Sequence, residues 1–346
     1  MALNRHSWRF KKQRGVALIS VLLAVALCTI LATEILMAQS LQVQRAQNLF
    51  QRQQAYWYAL GSEQFVKGLI SKTAEDDKGV FNLEQNWAMD DMKFPVDNGL
   101  IEGKVTDMSA CFNLNSLYNK KLDEVARDKH KKVFVKYLTL LELTSDISEE
   151  DLANNIVDWL DSDDYPVGAV GYDGDMYASL DFPYLAANSP MAAESELRLV
   201  YGFDTKVMLQ LKDKFCVIPD STKFAINVNT ITDENPELLA AMLDVDKSKA
   251  ESIIAARPED GFEKIEDFWA LKDVSGLKNV SDLDKTQFTV NSKFFKLVTN
   301  AHYNDVRFDL TSVLQLDEHN NVNVIARRFG GTIERKADTE TEQSDK

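Results

Sequence analysis

Hydrophobic residues run without interruption near the N-terminus of this chain. Residues 16–33 are eighteen positions without a charge, and most of them are Leu, Val, Ile or Ala. A helix needs about 20 predominantly apolar residues to cross the hydrocarbon core of a bilayer. The pattern therefore predicts a transmembrane helix over residues 16–36.

The helical pattern continues beyond the predicted membrane span. Residues 34–71 contain no proline, and apolar side chains recur there at spacings near three, four or seven. This spacing is typical of an amphipathic helix. We predict one helix over residues 16–72, about 85 Å long at 1.5 Å per residue. Its outer half is expected to pack against a globular head through Ala46, Phe50, Trp57, Leu60, Phe65 and Leu69, with Tyr56, Trp57 and Tyr58 in the core.

Two sets of short alternating segments flank a long region with helical patterning. Strands are predicted at 80–81, 94–96, 100–105, 287–291, 294–303, 306–316 and 322–328, with Asp97-Asn98-Gly99 as the turn before the third of them. The predicted fold class is therefore α+β: a long N-terminal helix and an antiparallel sheet, with a large, mainly helical insertion. The sheet takes 73–112 and 286–330, an acidic insertion takes 113–222, and a return strand with a helical hairpin takes 223–285. Residues 331–346 are too polar to bury a core, and we expect them to be disordered.

A basic leader precedes the apolar helix. Residues 1–15 contain five Arg or Lys residues and no acid, a pattern that keeps this end of the helix in the cytoplasm. A secretory signal would be cleaved after the apolar run, but the small residues at 24–26 lie inside it. A lipoprotein site at Cys28 would need a residue smaller than Leu27 before it. A plain anchor accounts for the charge and apolarity, although not for the Gly15–Val16 junction.

The net charge limits the functions open to the chain. Residues 16–346 carry 34 Lys and Arg against 54 Asp and Glu, a net charge of −20. Phosphate is bound mainly by Lys and Arg, so we expect no nucleic-acid partner. The four histidines, His6, His130, His302 and His319, are scattered, and no catalytic motif is present. We do not expect an enzyme.

Two cysteines, Cys111 and Cys216, lie beyond the membrane span. In an oxidising compartment such a pair favours one disulfide, and two separate buried thiols are the alternative. Cys111 ends the first set of strands, and Cys216 just precedes the expected return strand near Phe224. A disulfide would therefore close the base of the insertion.

Specific sequence blocks relate the chain to a known family. Gly15 before an uninterrupted apolar helix resembles the processing site of type IV prepilins and pseudopilins. Further blocks follow in order: IVDWLDSDD at 156–164, YDGD at 172–175, SLDFPYLAAN at 179–188, SELRLV at 195–200, INVNT at 226–230 and TVNSKFF at 289–295. Together they resemble the minor pseudopilin K family of the type II secretion system, over nearly the whole chain.

This resemblance implies a function and a place in the cell. A prepilin peptidase is expected to cut between Gly15 and Val16, followed by N-methylation of Val16. The chain would be a single-pass inner-membrane protein with a cytoplasmic N-terminus and a periplasmic head. It would then cap the pseudopilus tip and start its assembly with minor pseudopilins I, J and H on the inner-membrane secretion platform. The alternative is an anchored periplasmic binding module that never enters a fibre.

Position 20 bears on the tip assignment. Pilins and most pseudopilins carry Glu at the fifth position of the mature chain, and the K family lacks it. Counted from Val16, this position is Ser20. An unpaired carboxylate in a bilayer-like environment is costly, so a subunit that never makes the contact can lack it. The alternative is that Ser20 is an ordinary polar residue in an anchor helix.

An acidic loop in the insertion is a candidate metal site. Residues 137–197 contain 14 acids and no Lys or Arg. Clustered carboxylates on a glycine-containing loop are typical calcium ligands, although the spacing is not that of an EF-hand. The resemblance also implies structural calcium in this region, and a solvated acidic loop is the alternative. The candidate ligands are Asp161, Asp163, Asp164, Asp173 and Asp175.

Residues 226–272 resemble the helix-hairpin-helix modules of DNA-binding proteins. Those modules hold phosphate with the backbone of a Gly-x-Gly hairpin. Here the hairpin is LDVDK at 243–247, which has two carboxylates and no glycine. We therefore predict a structural or protein-binding module.

Overall fold

The computed structural model describes residues 16–89, 92–168, 171–277, 280 and 282–330. The predicted leader and the predicted disordered tail lie outside these residues. The helices are α1 Val16–Asp76, α2 Glu124–Leu140, α3 Glu149–Leu160, α4 Gly174–Ala178, α5 Thr205–Gln210, α6 Pro236–Leu243, α7 Lys247–Ala255, α8 Ile265–Ala270, α9 Lys272–Ser275 and α10 Asp282–Lys285. The strands are β1 Met92–Val96, β2 Gly99–Asp107, β3 Phe112–Asn113, β4 Phe215–Cys216, β5 Ile226–Asn227, β6 Phe288–Thr289, β7 Phe294–Tyr303, β8 Val306–Leu316 and β9 Val322–Phe329.

Helix α1 is continuous for 61 residues, which corresponds to about 90 Å. Within the described part of the chain it is the one helix long and apolar enough to cross a membrane. It ends four residues later than the predicted position 72, where Gly79 takes a φ of +81° and its N–H bonds the Ala74 carbonyl at 2.9 Å. A left-handed glycine at this position closes a helix without a Cβ penalty, so the helix continues until this glycine can close it.

The face of α1 that meets the sheet differs from the predicted stripe. Phe50, Trp57 and Phe65 are exposed. Small residues and a few aliphatic ones are buried instead, because the sheet lies close to the helix backbone. The buried residues of α1 are Ala55, Ala59, Ser62, Glu63, Val66, Ile70, Thr73 and Ala74.

The aromatic cluster on α1 is thus only partly in the core. Tyr56 packs its ring against Phe308 at 5.4 Å, and the Tyr58 hydroxyl donates to the Asp97 carbonyl at 3.0 Å. Trp57 points away from the sheet and is 56% exposed. The prediction that all three aromatic residues lie in the core was wrong for Trp57, because three consecutive helical residues cannot share one face.

The large sheet is antiparallel, with strand order β1-β2-β7-β8-β9. The predicted turn after Val96 is present, and Asn98 takes a φ of 55° there. Gly99 has a separate requirement, since a Cβ at this position would lie 2.0 Å from the His302 carbonyl oxygen on β7. A glycine is therefore needed at position 99, where β2 and β7 come together.

Two predicted strand segments do not belong to the large sheet. Val80 forms a single bridge with Asn291. The predicted strand 287–291 is reduced to β6, which pairs in parallel with β5, the expected return strand. The apolar side chains of β5 and β6, Ile226 and Phe288, are buried in the core of the insertion, so these two strands complete the insertion rather than the sheet.

The insertion leaves and rejoins the sheet at the end farthest from the membrane span. The hairpin end at Gly99 lies near Tyr58, whereas the opposite end of β2 is Asp107, paired with Phe295. The Asp107 carboxylate accepts from the Thr230 hydroxyl at 2.6 Å and from the Ser292 hydroxyl, and burial raises its pKa. This buried network joins the far end of the sheet to the insertion.

Candidate functional site

The candidate metal site begins at the C-terminal end of α3. The Ser148 hydroxyl caps the helix by accepting from the Asp151 N–H at 3.2 Å. Leu152, Ile156 and Trp159 bury its apolar face. Asp158 and Asp161 lie at the C-terminal end of α3. The helix dipole is negative at this end, so carboxylates are unfavourable there. A nearby cation would relieve this repulsion.

Three of the five predicted ligands come together in space. Asp161, Asp163 and Asp173 each offer one carboxylate oxygen, and these oxygens lie within 4.8 Å of one another. Asp161 and Asp173 are buried and Asp163 is exposed. The loop between α3 and α4 thus folds back so that α4 begins beside the end of α3.

Several oxygens at this place have no hydrogen-bond partner within the part of the chain that the structure describes. They are Asp158 Oδ2, Asp161 Oδ1, Asp173 Oδ2 and Asn188 Oδ1, and all four are buried. A buried acceptor without a partner costs about 1–3 kcal/mol, and more when it is charged. A cation bound among these four oxygens would satisfy them.

The pKa values of the acids at this site are raised. Burial is the main reason that the pKa of Asp158 rises to about 7, and the nearby carboxylates of Asp173 and Asp161 add to it. Burial also raises the pKa of Asp161 to about 6, followed by the charge of Asp163. The pKa of Asp173 is raised as well, mainly by burial. For Asp161, the charge of Lys120 lowers the pKa, but burial and the neighbouring carboxylates outweigh it.

The remaining predicted ligands have other surroundings. Asp164 accepts from the Asn188 side-chain amide at 3.1 Å. Asp175 is exposed in the first turn of α4.

Asp158 was missed by sequence reasoning, although it lies one helical turn before Asp161 and one turn after Asn155. A carboxylate on the buried face of an amphipathic helix was the available signal.

The donor set fits calcium. Carboxylate and amide oxygens are the hard ligands that Ca²⁺ takes in six- to eight-fold coordination. Asp161, Asp163 and Asp173 would hold the ion, and Asp158 and Asn188 supply further unpaired oxygens beside them. Such an ion would join α3 to α4, which makes its contribution structural.

Cys111 and Cys216 form a disulfide in the structure, with their Cα atoms 5.8 Å apart. Cys111 precedes β3 and Cys216 ends β4, and these two strands pair in parallel. The bond therefore lies at the base of the insertion, beside the Met108 and Ile218 side chains with which Cys216 is buried.

Val16 and Ser20 lie in the first turns of α1, and Gly15 lies outside the described residues. The Ser20 hydroxyl donates to the Ala17 carbonyl at 2.9 Å. This bond satisfies the hydroxyl within its own helix, so Ser20 needs no partner from another subunit in an apolar environment.

The two carboxylates of the hairpin between α6 and α7 both have partners within the protein. Asp244 takes a left-handed φ of 56° and pairs with Lys136 of α2. Asp246 caps α7 by accepting from the Lys249 N–H at 2.8 Å. Asp244 therefore joins the hairpin to α2 and Asp246 caps α7, where a phosphate-binding module would have glycines.

Comparison with known proteins identifies the family. Two family models, both described as type II secretion system (T2SS), protein K, match residues 110–220 and 226–291. The chain is 34% identical to the type II secretion system protein K of Aeromonas hydrophila, over 93% of this chain and 98% of that protein. The chain belongs to the type II secretion system protein K family. This family supplies a minor pseudopilin of the secretion system and is structural.

A second relative and a solved structure support the same family assignment. The protein K of Pectobacterium carotovorum subsp. carotovorum is 33% identical, over 92% of this chain and 97% of the relative. The fold is similar to a chain in the crystal structure of the GspK-GspI-GspJ complex from the enterotoxigenic Escherichia coli type 2 secretion system. That match has a TM-score of 0.72 at 25% identity, and it covers 84% of this chain and 99% of the other. The α+β fold predicted from the pattern of helices and strands is thereby confirmed.

Proposed function

We propose that this family member caps the tip of the type II secretion pseudopilus and starts its assembly. The observation that carries the proposal is the position of the insertion at the far end of the sheet, beyond Asp107 and Phe295. A fibre repeats its subunits along its axis, so a head enlarged at this end would collide with a subunit above it. The tip is the position where no subunit lies above.

Position 20 supports the same proposal independently. Ser20 leaves no carboxylate to pair with the N-terminus of an adjacent subunit, and its hydroxyl is satisfied by Ala17. The cost of an unpaired charge in a bilayer-like environment is thereby avoided. Partners would then contact the subunit from below, along the outer part of α1.

The proposed partners are minor pseudopilins I, J and H, with the inner-membrane secretion platform as the assembly site. The similar solved structure is a complex of GspK with GspI and GspJ, and this supports I and J for the present chain. Before assembly, the exposed apolar half of α1 would anchor the subunit in the inner membrane, with the basic leader in the cytoplasm and the head in the periplasm.

Processing by a prepilin peptidase belongs to this proposal. Cleavage between Gly15 and Val16 and methylation of Val16 would produce the mature chain. An anchored periplasmic module that never enters a fibre would not need this step. The intact mass of the membrane-extracted protein separates the two functions, because it reports leader removal and methylation together.

Labelling of assembled pseudopili tests the tip position. An antibody against residues 113–285 should decorate one end of each fibre, and loss of the protein should disturb initiation, length control and secretion. The same procedure with an antibody against the major pseudopilin serves as the control and should decorate the whole length. Decoration by the first antibody along the fibre would contradict the proposal.

A further inference from the structure

A group of exposed apolar side chains lies in the acidic insertion. Beyond α1, nine large hydrophobic side chains are exposed among the described residues, and five of them fall within residues 165–199. Phe182 is 87% exposed and Leu185 is 72% exposed. Single exposed hydrophobic residues are ordinary, whereas a group is typical of an interaction surface. We call this group the apolar patch; it comprises Tyr165, Met176, Phe182, Leu185 and Leu199.

Hydrogen bonds bring the segments that carry the apolar patch together. The Asn188 side-chain amide donates to Asp164 at 3.1 Å, which joins the segment before Tyr165 to the segment after Leu185. The Tyr184 hydroxyl donates to the Leu199 carbonyl at 2.7 Å. The Tyr184 N–H also donates to the Tyr177 carbonyl at 3.4 Å, so the segment with Met176 joins the segments that carry the other patch residues.

The fold does not use these side chains for its own core. Tyr184 packs against Tyr177 at 5.1 Å and against Trp159 at 6.3 Å, which fixes the loop from the inside. Phe182 and Leu185, on either side of Tyr184, point outward and remain in solvent. Their exposure is therefore a property of a fixed loop, and contact with another molecule would bury their apolar area.

The surroundings of the apolar patch are strongly negative. Residues 137–197 carry 14 acids without a Lys or Arg, so one bound Ca²⁺ would still leave a large negative charge. The exposed Arg198, beside Leu199, is the one cation next to a patch residue in the sequence, and the acids outnumber it. Exposed carboxylates lie beside the patch residues in sequence: Asp163, Asp164, Asp175 and Asp181. Such a field attracts a basic partner and repels an anionic one.

We propose that the apolar patch, with its surrounding carboxylates, is a docking surface for a basic segment of a partner protein that presents apolar side chains. The apolar area supplies the contact, and the carboxylates select a Lys- and Arg-rich partner. An anionic membrane offers apolar chains too, but the same carboxylates would repel its headgroups. The patch residues belong to the insertion and not to α1, and the proposal does not depend on the tip position.

Binding of a defined probe tests the proposal on the full chain held in zwitterionic phosphatidylcholine nanodiscs with calcium. The probe is a short fluorescent peptide of Lys and Phe spaced by Ser and Gly, and its counterpart carries Glu in place of every Lys. Empty nanodiscs give the background. We expect the Lys peptide to bind, the Glu peptide not to bind, and added salt to weaken the binding.

Matched variants then locate the binding. The double variant Phe182→Ser/Leu185→Ser should weaken Lys-peptide binding by about tenfold or more, as loss of central apolar contacts does at interfaces. The double variant Val125→Ser/Leu209→Ser removes two side chains that are 78% and 67% exposed elsewhere and should bind normally. Melting temperatures show whether each variant is folded. The single variant Phe182→Gln repeats the binding test with one substitution at an exposed position.

Three results would overturn the proposal. They are equal Lys-peptide binding by the patch variants and the control variant, equal binding of the Lys and Glu peptides, or no binding of either peptide. Phosphatidylglycerol vesicles provide the membrane comparison. Vesicle binding that requires Phe182 and Leu185, without peptide binding, would assign the surface to a lipid and refute the protein partner.

Discussion

Glu63 of α1 and Arg327 of β9 form a two-point ion pair between the long helix and the last strand. Arg327 Nη2 donates to Glu63 Oε1 at 2.7 Å, and Arg327 Nε donates to Oε2 at 2.8 Å. The Ser312 hydroxyl on β8 donates to the same Oε2 at 2.6 Å. Glu63 is fully buried, so these three donors satisfy a carboxylate that would otherwise be costly inside the fold.

Replacing Arg327 by Met should destabilise the head because it leaves the Glu63 carboxylate buried without its partner. We expect a loss of about 2 kcal/mol, below the roughly 3–5 kcal/mol for breaking a fully buried pair. The Arg327 side chain is 40% exposed, and water screens part of the interaction. Urea unfolding of the full chain in detergent measures the change. Arg328→Met, at the exposed neighbouring position, is the control and should have little effect.

The cost of Arg327→Met should depend on pH. Burial alone would raise the pKa of Glu63, but the hydrogen bonds from Arg327 and Ser312 and the charge of Arg327 outweigh it and lower the pKa below 4.5. The native state then binds fewer protons than the unfolded state, so this stabilisation is present above pH 4.5 and is lost as pH falls below it. The stability difference between wild type and Arg327→Met should shrink on acidification. A difference that stays constant or grows from neutral pH to pH 4 would contradict the assignment.

The Cys111–Cys216 bond should form in exported protein and stabilise the insertion. The two residues are 105 apart in sequence, so the bond closes a long loop. Replacing both by Ser should cost roughly 2–5 kcal/mol. Non-reducing peptide mapping detects the linked peptides, and thermal melting measures the loss. Cys28→Ser is the control, because Cys28 is a free cysteine in the exposed part of α1. Recovery of both head cysteines as free thiols would rule the bond out.

Calcium should raise the melting temperature of the full chain relative to chelator. An ion at 100 times its Kd adds about 2.7 kcal/mol, or roughly 5–10 °C for a head of this size. Asp161→Asn should abolish most of this shift, because Asp161 belongs to the group of close carboxylates.

Asp175→Asn is the matched control for the calcium experiment. Asp175 lies in the same loop region but outside the close group, so this variant should keep the calcium shift. Equal melting temperatures of the wild type in calcium and in chelator would favour the solvated acidic loop. Loss of the shift in both variants would mean that Asp175 is a ligand too.

Local sequence patterns are sufficient to predict the elements that depend on neighbouring residues. The absence of proline predicted the long helix α1, which continues four residues past its predicted end, and the Asp-Asn-Gly turn predicted the β1–β2 hairpin. The acidic loop between α3 and α4 was visible as carboxylates without compensating cations. Each of these features follows from backbone preference, apolar spacing or charge over a few consecutive residues.

Contacts between distant residues could not be predicted from local patterns, because they depend on the complete fold. The buried face of α1 follows from the close approach of the sheet, which selects Ala59 and Ala301 over the large aromatics. Asp158 joined the acidic site because the chain after α3 folds back on the helix. The Glu63–Arg327 pair joins residues 264 positions apart. Such contacts depend on the shapes of surfaces brought together by the whole fold, and no local pattern of polarity encodes them.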